Sequence, residues 1–154
     1  MADNIVISRM TMDDYGEVHS LWLTIDGFGI RSIDDSKEEI NRFIDRNPTT
    51  SVVAKCNGKI VGSILCGHDG RQGTLYHVCV SKEFRRRGIG TMMVAHCMEC
   101  LRQMKINKVS LIAFSNNDAG NAFWKQIGWK QAHVNYYEFT LNKDNITRFV
   151  ESSV

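Results

Sequence analysis

The sequence has few of the features that interrupt a folded domain. Pro48 is the only proline among 154 residues, and no segment is repetitive or of low complexity. No apolar run approaches the ~20 residues that cross a bilayer, and the N-terminus lacks the pattern of a signal peptide. We therefore expect one domain over residues 1–154, with 142–154 as a peripheral tail, located in the cytoplasm and without a membrane partner.

The chain also lacks a strong excess of charge of one sign. Its formal net charge is +2, which is too small to form an electrostatic footprint for nucleic acid. Hydrophobic residues make up 43% and charged residues 23%, as in ordinary folded proteins. These values predict a soluble globular domain with no nucleic-acid partner.

Cysteine is present five times, an odd number that argues against a disulfide framework and agrees with a reducing compartment. Cys97 and Cys100 form a C-x-x-C beside His96. Zinc sites of this kind need a second pair of ligands, which the sequence does not offer, and the pair lies inside a helical pattern. We therefore predict buried thiols and no metal.

Hydrophobic periodicity predicts the element order βααβββαβαβ, a mixed α/β fold. A helix should begin after the capping residues 11–14, and an Asn57-Gly58 turn is the strongest hairpin signal in the chain. The predicted strands are 5–9, 51–56, 59–66, 74–80, 109–114 and 131–141; the later helices are 36–44, 92–104 and 117–127. Strands 51–56, 59–66 and 74–80 form an antiparallel meander.

A basic, glycine-containing loop joins the third meander strand to the next helix. Backbone N–H groups at a helix N-terminus and the helix dipole favour anions, so a phosphate would fit there. Gly88 and Gly90 allow close approach of the backbone, and the arginines supply charge-assisted contacts. The alternative is a solvated basic turn. The loop consists of Arg85, Arg86, Arg87, Gly88, Ile89, Gly90 and Thr91.

Two motifs at these positions resemble those of the GNAT family of N-acetyltransferases. The spacing of Arg85, Gly88 and Gly90 matches the family's first signature. The second signature, an Asn, a helix, a Gly and an aromatic residue, is matched by Asn117, Phe123, Trp124, Gly128 and Trp129. The similarity in element order runs from about residue 5 to residue 141. The segments 67–71 and 76–80 also resemble the small bacterial YpeA-like branch.

The resemblance implies a GNAT fold: a mostly antiparallel central sheet, helices on both faces and a splayed cleft for acetyl-CoA as acyl donor. The amides of residues 86–91 would receive the pyrophosphate. The strand before the loop would meet the pantetheine arm, and so would the Asn-bearing segment. The implied pantetheine contacts are Val78, Cys79, Val80, Asn117 and Trp124.

Members of this family let an amine attack the thioester directly, so a proton must leave the ammonium and the departing thiolate must be protonated. A Tyr often serves the thiolate, and Trp124 stands at that position here. An indole N–H cannot deliver a proton, so Trp124 orients the sulfur or only packs. Protonation would then come from water, Tyr136 or Tyr137, because a thiol pKa near ~8.5 makes the thiolate a tolerable leaving group.

The positions at which relatives carry a proton acceptor are occupied by Thr74, Tyr76 and Ile112, none of them a carboxylate or histidine. Unless a bulge intervenes, strand parity puts Tyr76 on one face and His77 on the other. Tyr76 is thus the catalytic candidate facing the cleft, and His77 is expected in the core. The residues predicted on one face of the strand are Thr74, Tyr76, Val78 and Val80, and those predicted on the opposite face are His77 and Cys79.

The resemblance places the acceptor amine between the glycine-containing loop after the first helix and the late strands. The implied acceptor contacts are Trp22, Asp26, Phe28, Asp34 and Glu138. Acidic members would suit a cationic amine, although ordinary loop chemistry also accounts for them.

The predicted function is transfer of an acetyl group from acetyl-CoA to a primary amine of a small molecule or peptide. A backbone amide near Val80 would stabilise the carbonyl oxygen. The missing base and Trp124 favour an alternative, a non-catalytic acyl-CoA-binding regulatory module. A homodimer is also compatible with the sequence.

Overall fold

The structure is a computed structural model that describes residues 3–151. Its strands are β1 Ile5–Arg9, β2 Gly29–Arg31, β3 Val52–Cys56, β4 Lys59–His68, β5 Gly73–Val80, β6 Val109–Ser110 and β7 Thr147–Phe149. Its helices are α1 Tyr15–Trp22, α2 Lys37–Arg46, α3 Ile89–Gln103 and α4 Asp118–Gln126. No helix in this part of the chain is long and apolar enough to cross a membrane.

A five-stranded sheet in the order β1-β3-β4-β5-β6 forms the centre of the fold. All its pairs are antiparallel except β5 with β6. Alternate residues of β3 point to opposite faces: Ala54 packs in a core with Met93 of α3, and Val53 in a second core with Trp22 of α1. The predicted mixed, mostly antiparallel sheet with helices on both faces is therefore confirmed.

The meander of β3, β4 and β5 follows the sequence prediction. Asn57 and Gly58 connect β3 to β4 with φ values of 51° and 85°, as a tight hairpin turn requires. The helix predicted at 117–127 is α4, which Asn117 caps at its N-terminus. The helix predicted at 92–104 begins earlier, at Ile89, directly after the basic loop.

A β-bulge in β5 changes which side chains share a face. The β4–β5 register passes from Ser63 opposite Cys79 to Leu65 opposite Tyr76, so two residues of β5 oppose one residue of β4. One of the two, His77, has a φ of 49°. The ring of Tyr76 contacts Phe43 of α2, and the ring of His77 contacts Trp22 of α1.

The predicted parity of β5 holds beyond the bulge, where His77 and Cys79 share one face, but it fails for Tyr76, which the bulge places on that same face. Tyr76 and His77 both face α1 and α2, whereas Val78 and Val80 pack against the core on the α3 side. The extra residue shifts the alternation by one position, so Tyr76 does not share a face with Val78 and Val80.

The strand predicted at 109–114 is cut to two residues in β6. Its residues Val109 and Ser110 pair with Gly73 and Thr74 at the start of β5. Beyond that point β5 has no strand partner on this side within residues 3–151. The two strands therefore part, and the cleft opens where β5 continues toward the basic loop.

The final strand predicted at 131–141 is wrong. This stretch joins no ladder, and every residue from 131 to 144 is exposed. Tyr137 is 86% exposed and Leu141 94%. The alternating sequence favours a strand, but β propensity is realised only where a neighbouring strand and a face to pack on are available.

The tail contributes a strand that the sequence analysis did not predict. β7 pairs antiparallel with β2, Gly29 with Phe149 and Arg31 with Thr147, in a separate two-stranded sheet. β2 itself lies in the stretch between α1 and α2 that we expected to be a loop. The last three residues of the predicted tail, 152–154, lie outside the described residues.

Candidate active site

The basic loop forms a concave row of backbone amides at the start of α3. Gly88 is the residue before the helix and adopts the left-handed conformation, with φ 77° and ψ 8°. Arg86 also has a positive φ, 63°. The amides of residues 86–91 donate to no acceptor within residues 3–151. Consecutive free N–H groups of this kind at a helix N-terminus bind phosphates and other anions.

The two glycines of the loop serve different purposes. A Cβ on Gly88 would meet no atom within 4 Å, so the backbone there is open to a ligand. A Cβ on Gly90 would lie 3.3 Å from the ring of Phe123. α4 therefore packs directly on the loop, which brings the two motifs into contact.

The three arginines of the loop are engaged differently. The Arg85 Nε atom donates to the carbonyl of Val80 at 3.1 Å. An Arg87 guanidinium nitrogen lies 2.5 Å from the Asp3 carboxylate, and its guanidinium carbon lies 4.9 Å from the centroid of the Phe84 ring. Arg86 makes no hydrogen bond or ion pair through its side chain with the described residues, so its guanidinium is available to an anion.

The second motif combines a helix cap with an aromatic cluster. The Asn117 Oδ1 atom accepts from the Gly120 N–H at 3.1 Å, which leaves the Nδ2 group of Asn117 for another partner. Trp124 is half-buried, with its ring centroid 5.0 Å from Phe123 and 4.8 Å from Trp129. These contacts support the packing role that we considered for Trp124.

Cys79 offers only its backbone to a ligand. Its side chain is buried on the α1–α2 side of the sheet. Burial raises the pKa of the Cys79 thiol to about 11, although a hydrogen bond with Ser63 opposes the shift. The thiol therefore stays protonated near neutral pH, and Cys79 cannot act as a nucleophile there.

His77 and Asp35 form a histidine–carboxylate pair above β5. The His77 Nε2 atom lies 2.8 Å from Asp35 Oδ1, and the side chain of Asp35 is only 6% exposed. The other oxygen of Asp35 accepts from the Arg31 N–H at 2.7 Å. The ring of His77 lies between Trp22, 4.7 Å away, and Phe28, 5.1 Å away. Nδ1 of His77 is therefore the nitrogen left for a ligand.

Sequence reasoning missed this pair. The partners are 42 residues apart, and no local pattern links them. His77 was expected in the core because parity placed it opposite Tyr76, and only the bulge shows that both face α1 and α2. A histidine on the strand before the basic loop was the one available signal.

The residues predicted to contact the acceptor are distributed unevenly. Phe28 stacks on His77, and Asp26 is exposed on the same loop. Trp22 is fully buried and donates its indole N–H to the hydroxyl of Ser63 at 3.2 Å. A direct substrate contact for Trp22 is therefore wrong, because the side chain lies behind His77.

The remaining candidates lie on or beside exposed surfaces. Tyr76 is 50% exposed, and its ring contacts the ring of Phe43 edge to face. Tyr137 and Glu138 belong to the exposed stretch 131–141, where the Tyr136 hydroxyl donates to Glu138 at 3.1 Å. That hydrogen bond raises the pKa of Tyr136. No contact brings Tyr137 to the cleft within the described residues.

Metal binding has no visible basis in the part of the chain that the structure describes. No group of three His, Cys, Asp or Glu side chains there could hold a metal ion. The five cysteines are free thiols: Cys97 is buried in α3, and Cys100 is half-buried with its sulfur 3.7 Å from the Nδ1 atom of His96.

The burial of the thiols predicts which cysteines react with an alkylating reagent in the folded protein. With a pKa of about 11, Cys79 holds only about 0.1% thiolate at pH 8. We expect iodoacetamide at pH 8 to modify Cys100 in the folded protein and to leave Cys79 unmodified, as read by peptide mass spectrometry. All five cysteines should react in urea, and a Cys100→Ser variant should take up no label when folded. Labelling of Cys79 in the folded protein would contradict its burial.

Comparison with known proteins agrees with the fold. Residues 14–129 match the family model described as the acetyltransferase (GNAT) family. An acetyltransferase of Pectobacterium atrosepticum is 30% identical over 118 residues, covering 77% of this chain and 82% of the relative. One of Sodalis glossinidius shows the same identity and coverage.

Solved structures show the same architecture at low sequence identity. The PaiA N-acetyltransferase of Thermoplasma acidophilum, in complex with coenzyme A, superimposes with a TM-score of 0.73 at 15% identity, over 86% of this chain and 93% of that one. Ard1 of Thermoplasma volcanium gives 0.69 at 20% identity, over 80% and 81%. Because the family model spans most of the sequence, the chain belongs to the GNAT family of N-acetyltransferases.

Proposed function

We propose that the protein transfers an acetyl group from acetyl-CoA to the primary amine of a small molecule or peptide. The observation that carries this proposal is the row of six unengaged amides, 86–91, at the N-terminus of α3. β5 loses its β6 neighbour after Thr74 and runs on as an open edge to Val80, from which the chain leads into the row. An anion-binding loop next to a parted strand pair suits a ligand with a phosphate end and a polar arm.

The residues present fit this donor. Gly88 leaves the backbone open, and Arg86 is the arginine free to meet a phosphate. The edge of β5 at Val78, Cys79 and Val80 is not covered by β6 and suits the pantetheine amides, although the Val80 carbonyl already accepts from Arg85. Asn117 offers its Nδ2 group. The donor supplies a thioester carbonyl as the electrophile. A backbone amide near Val80 would stabilise the oxygen as charge develops on it.

His77 is the residue we propose as acceptor of the amine proton. When Nε2–H donates to Asp35, Nδ1 carries the lone pair that can take a proton, and the carboxylate stabilises the imidazolium that results. The flanking rings of Trp22 and Phe28 fix the orientation of the imidazole. His77 thereby replaces Tyr76 as the leading candidate, and the missing base no longer favours a non-catalytic module.

Protonation of the departing thiolate needs no dedicated acid in this proposal. Trp124 lies in an aromatic cluster and has no proton to give at accessible pH. A thiol pKa near ~8.5 allows water to supply the proton. Tyr137 is too exposed to be held at a defined position by the described residues.

Exposed carboxylates on the acceptor side support a cationic amine as the other substrate, although that of Asp34 is already paired with Arg31 at 3.3 Å. Asp26, Asp34 and Glu138 are all exposed around the loop between α1 and α2 or on the stretch 131–141. Carboxylates near the entrance to the acceptor side raise the local concentration of the ammonium form of the substrate, which then loses a proton before it attacks.

A tryptophan substitution tests the donor site. Gly88→Trp forces a side chain onto a residue with φ 77° and fills the space above the amides, so acetyl-CoA binding should be lost. We expect at least about tenfold weaker CoA binding by calorimetry, and loss of amine-dependent CoA release across an amine panel.

The matched control is Gly70→Trp, since Gly70 has a φ of 90° and equally open surroundings in the β4–β5 turn. It introduces the same strain away from the loop and should leave CoA binding unchanged. If Gly88→Trp binds CoA as tightly as the wild-type protein and forms free CoA from acetyl-CoA at the same rate, the loop is not the donor site.

Substitution of the histidine tests the proton acceptor. We expect His77→Gln to lower kcat by about 10²-fold, because no other group within residues 3–151 is placed to accept the amine proton, with the KM for acetyl-CoA little changed. His19→Gln is the control, because His19 also packs beside Trp22 but has no carboxylate partner among the described residues. An unchanged kcat in His77→Gln would exclude His77 as the proton acceptor.

We further propose that a second copy of the chain covers the exposed stretch 131–141. Five of its apolar side chains are 60–94% exposed: Val134, Tyr136, Tyr137, Phe139 and Leu141. From typical side-chain areas they expose on the order of 600 Å² per copy, close to the roughly 800 Å² per partner of a stable interface. Ile112 and Phe114, which follow the edge strand β6, are also exposed. An open edge and an unpaired strand-like stretch in one chain suit reciprocal pairing.

Charge placed on this stretch should separate the copies. Tyr137→Glu combined with Phe139→Glu should convert a dimer to a monomer in sedimentation analysis. The introduced carboxylates would have to be buried against the partner's apolar edge. Leu23→Glu, at a 53% exposed position after α1, should leave the dimer intact. If the wild-type protein is a monomer at micromolar concentration, the proposed pairing is refuted.

A further inference from the structure

Residues 142–150, here called the strap, are bound to the loop that forms the acceptor side. The ladder of β7 with β2 continues beyond its last pair, because the Gly27 N–H donates to the Val150 carbonyl and the Val150 N–H to the Phe28 carbonyl, both at 2.8 Å. The strap therefore fixes the backbone of Phe28, whose ring stacks on His77.

Asn145 holds the second half of this loop. Its Oδ1 atom accepts from the N–H groups of Ile33 at 3.0 Å and Asp34 at 3.1 Å, and its Nδ2 group donates to the Asp34 carboxylate at 2.8 Å. Ser32 adds a hydroxyl bond to the Asp144 carbonyl at 2.9 Å. One side chain of the strap thus satisfies two consecutive backbone amides that lie just before Asp35.

These contacts lead directly to the histidine–carboxylate pair. Arg31, which pairs with Thr147 in the ladder, donates its N–H to the buried carboxylate of Asp35. Asp35 in turn bonds to His77. The position of Asp35 relative to β5 therefore depends on backbone that is anchored to the strap on both sides.

The strap also reaches the opposite side of the cleft. The Phe149 ring lies 5.8 Å from the ring of Phe114, edge to face, and Phe114 follows β6, the strand that parts from β5. A Cβ on Gly29 would lie 3.1 Å from Thr147 and 3.2 Å from Phe149, so the strap packs closely on β2. The strap therefore links the two segments that flank the open part of β5.

We propose that the strap positions the His77–Asp35 pair and sets the size of the acceptor that reaches it. Asn145 acts as a positioning residue through loop 27–35, and Phe149 with Phe114 closes the acceptor side against bulky amines. The family match ends at residue 129, so the strap lies outside the matched region. The inference rests on the proposed amine acetylation.

Removing the Asn145 side chain tests the positioning role. Asn145→Ala leaves the two amides before Asp35 without their acceptor, so loop 27–35 should loosen. We expect hydrogen exchange in peptides covering residues 28–36 to accelerate at least about tenfold, and the KM for the best amine of a panel to rise by a similar factor. CoA affinity by calorimetry should stay within about twofold, because the donor loop is untouched.

Two matched variants separate this role from general destabilisation. Asn142→Ala removes an amide whose Oδ1 atom accepts only from Asp144 inside the strap, and it should change neither exchange nor KM. The double variant Asn145→Asp with Asp34→Asn keeps an oxygen for the two amides and an amide–carboxylate hydrogen bond between the two side chains, and it should recover part of the exchange protection. Unchanged exchange in Asn145→Ala would overturn the positioning role.

The size role has its own variant, which leaves the hydrogen bonds of Asn145 in place. Phe149→Ala should raise kcat/KM for bulky amines relative to small ones by at least about tenfold, with unchanged CoA affinity. An unchanged ratio would overturn the size role. If the unchanged protein releases no CoA with any amine, the proposed function fails, while the exchange experiment still decides whether the strap holds the loop.

Discussion

The pairing of β5 with β6 stops after two residues, and the arrangement around the cleft depends on that stop. Beyond Thr74 the edge of β5 is released, which leaves backbone groups for an extended ligand arm. The same strand then leads into the basic loop and α3, so its free edge and the amide row follow one another along the chain. The β-bulge lies on this released part, where the change of register turns His77 toward Asp35.

The proposed donor and acceptor sides are built by different kinds of contact. The donor loop is local: a strand end, two glycines and a helix start, supported by Phe123 packing against Gly90. The acceptor side has no local framework. Asp35 reaches His77 across 42 residues, and Asn145 reaches the amide of Asp34 across 111. Loss of a single long-range contact should therefore disturb the acceptor side while the donor loop keeps its shape.

Sequence reasoning succeeded where neighbouring residues carry the structural information. The Asn57-Gly58 turn fixes a hairpin, and alternation and helical spacing identify the meander and α3. It failed over 131–141, where a strand-like pattern has no ladder to join. It also preferred Tyr76 to His77, because a bulge is a property of two paired strands and leaves little trace in either sequence alone.

The sequence by itself determined the family, the mostly antiparallel sheet and the basic glycine loop at the start of a helix, because each depends on periodicity or on residues close together in the chain. Only the tertiary structure decided which histidine meets a carboxylate, that Trp22 is buried behind it, and that the tail binds the acceptor loop. These features arise from strand register and from contacts between distant segments. Their energies depend on three-dimensional proximity, which periodicity in one chain does not specify.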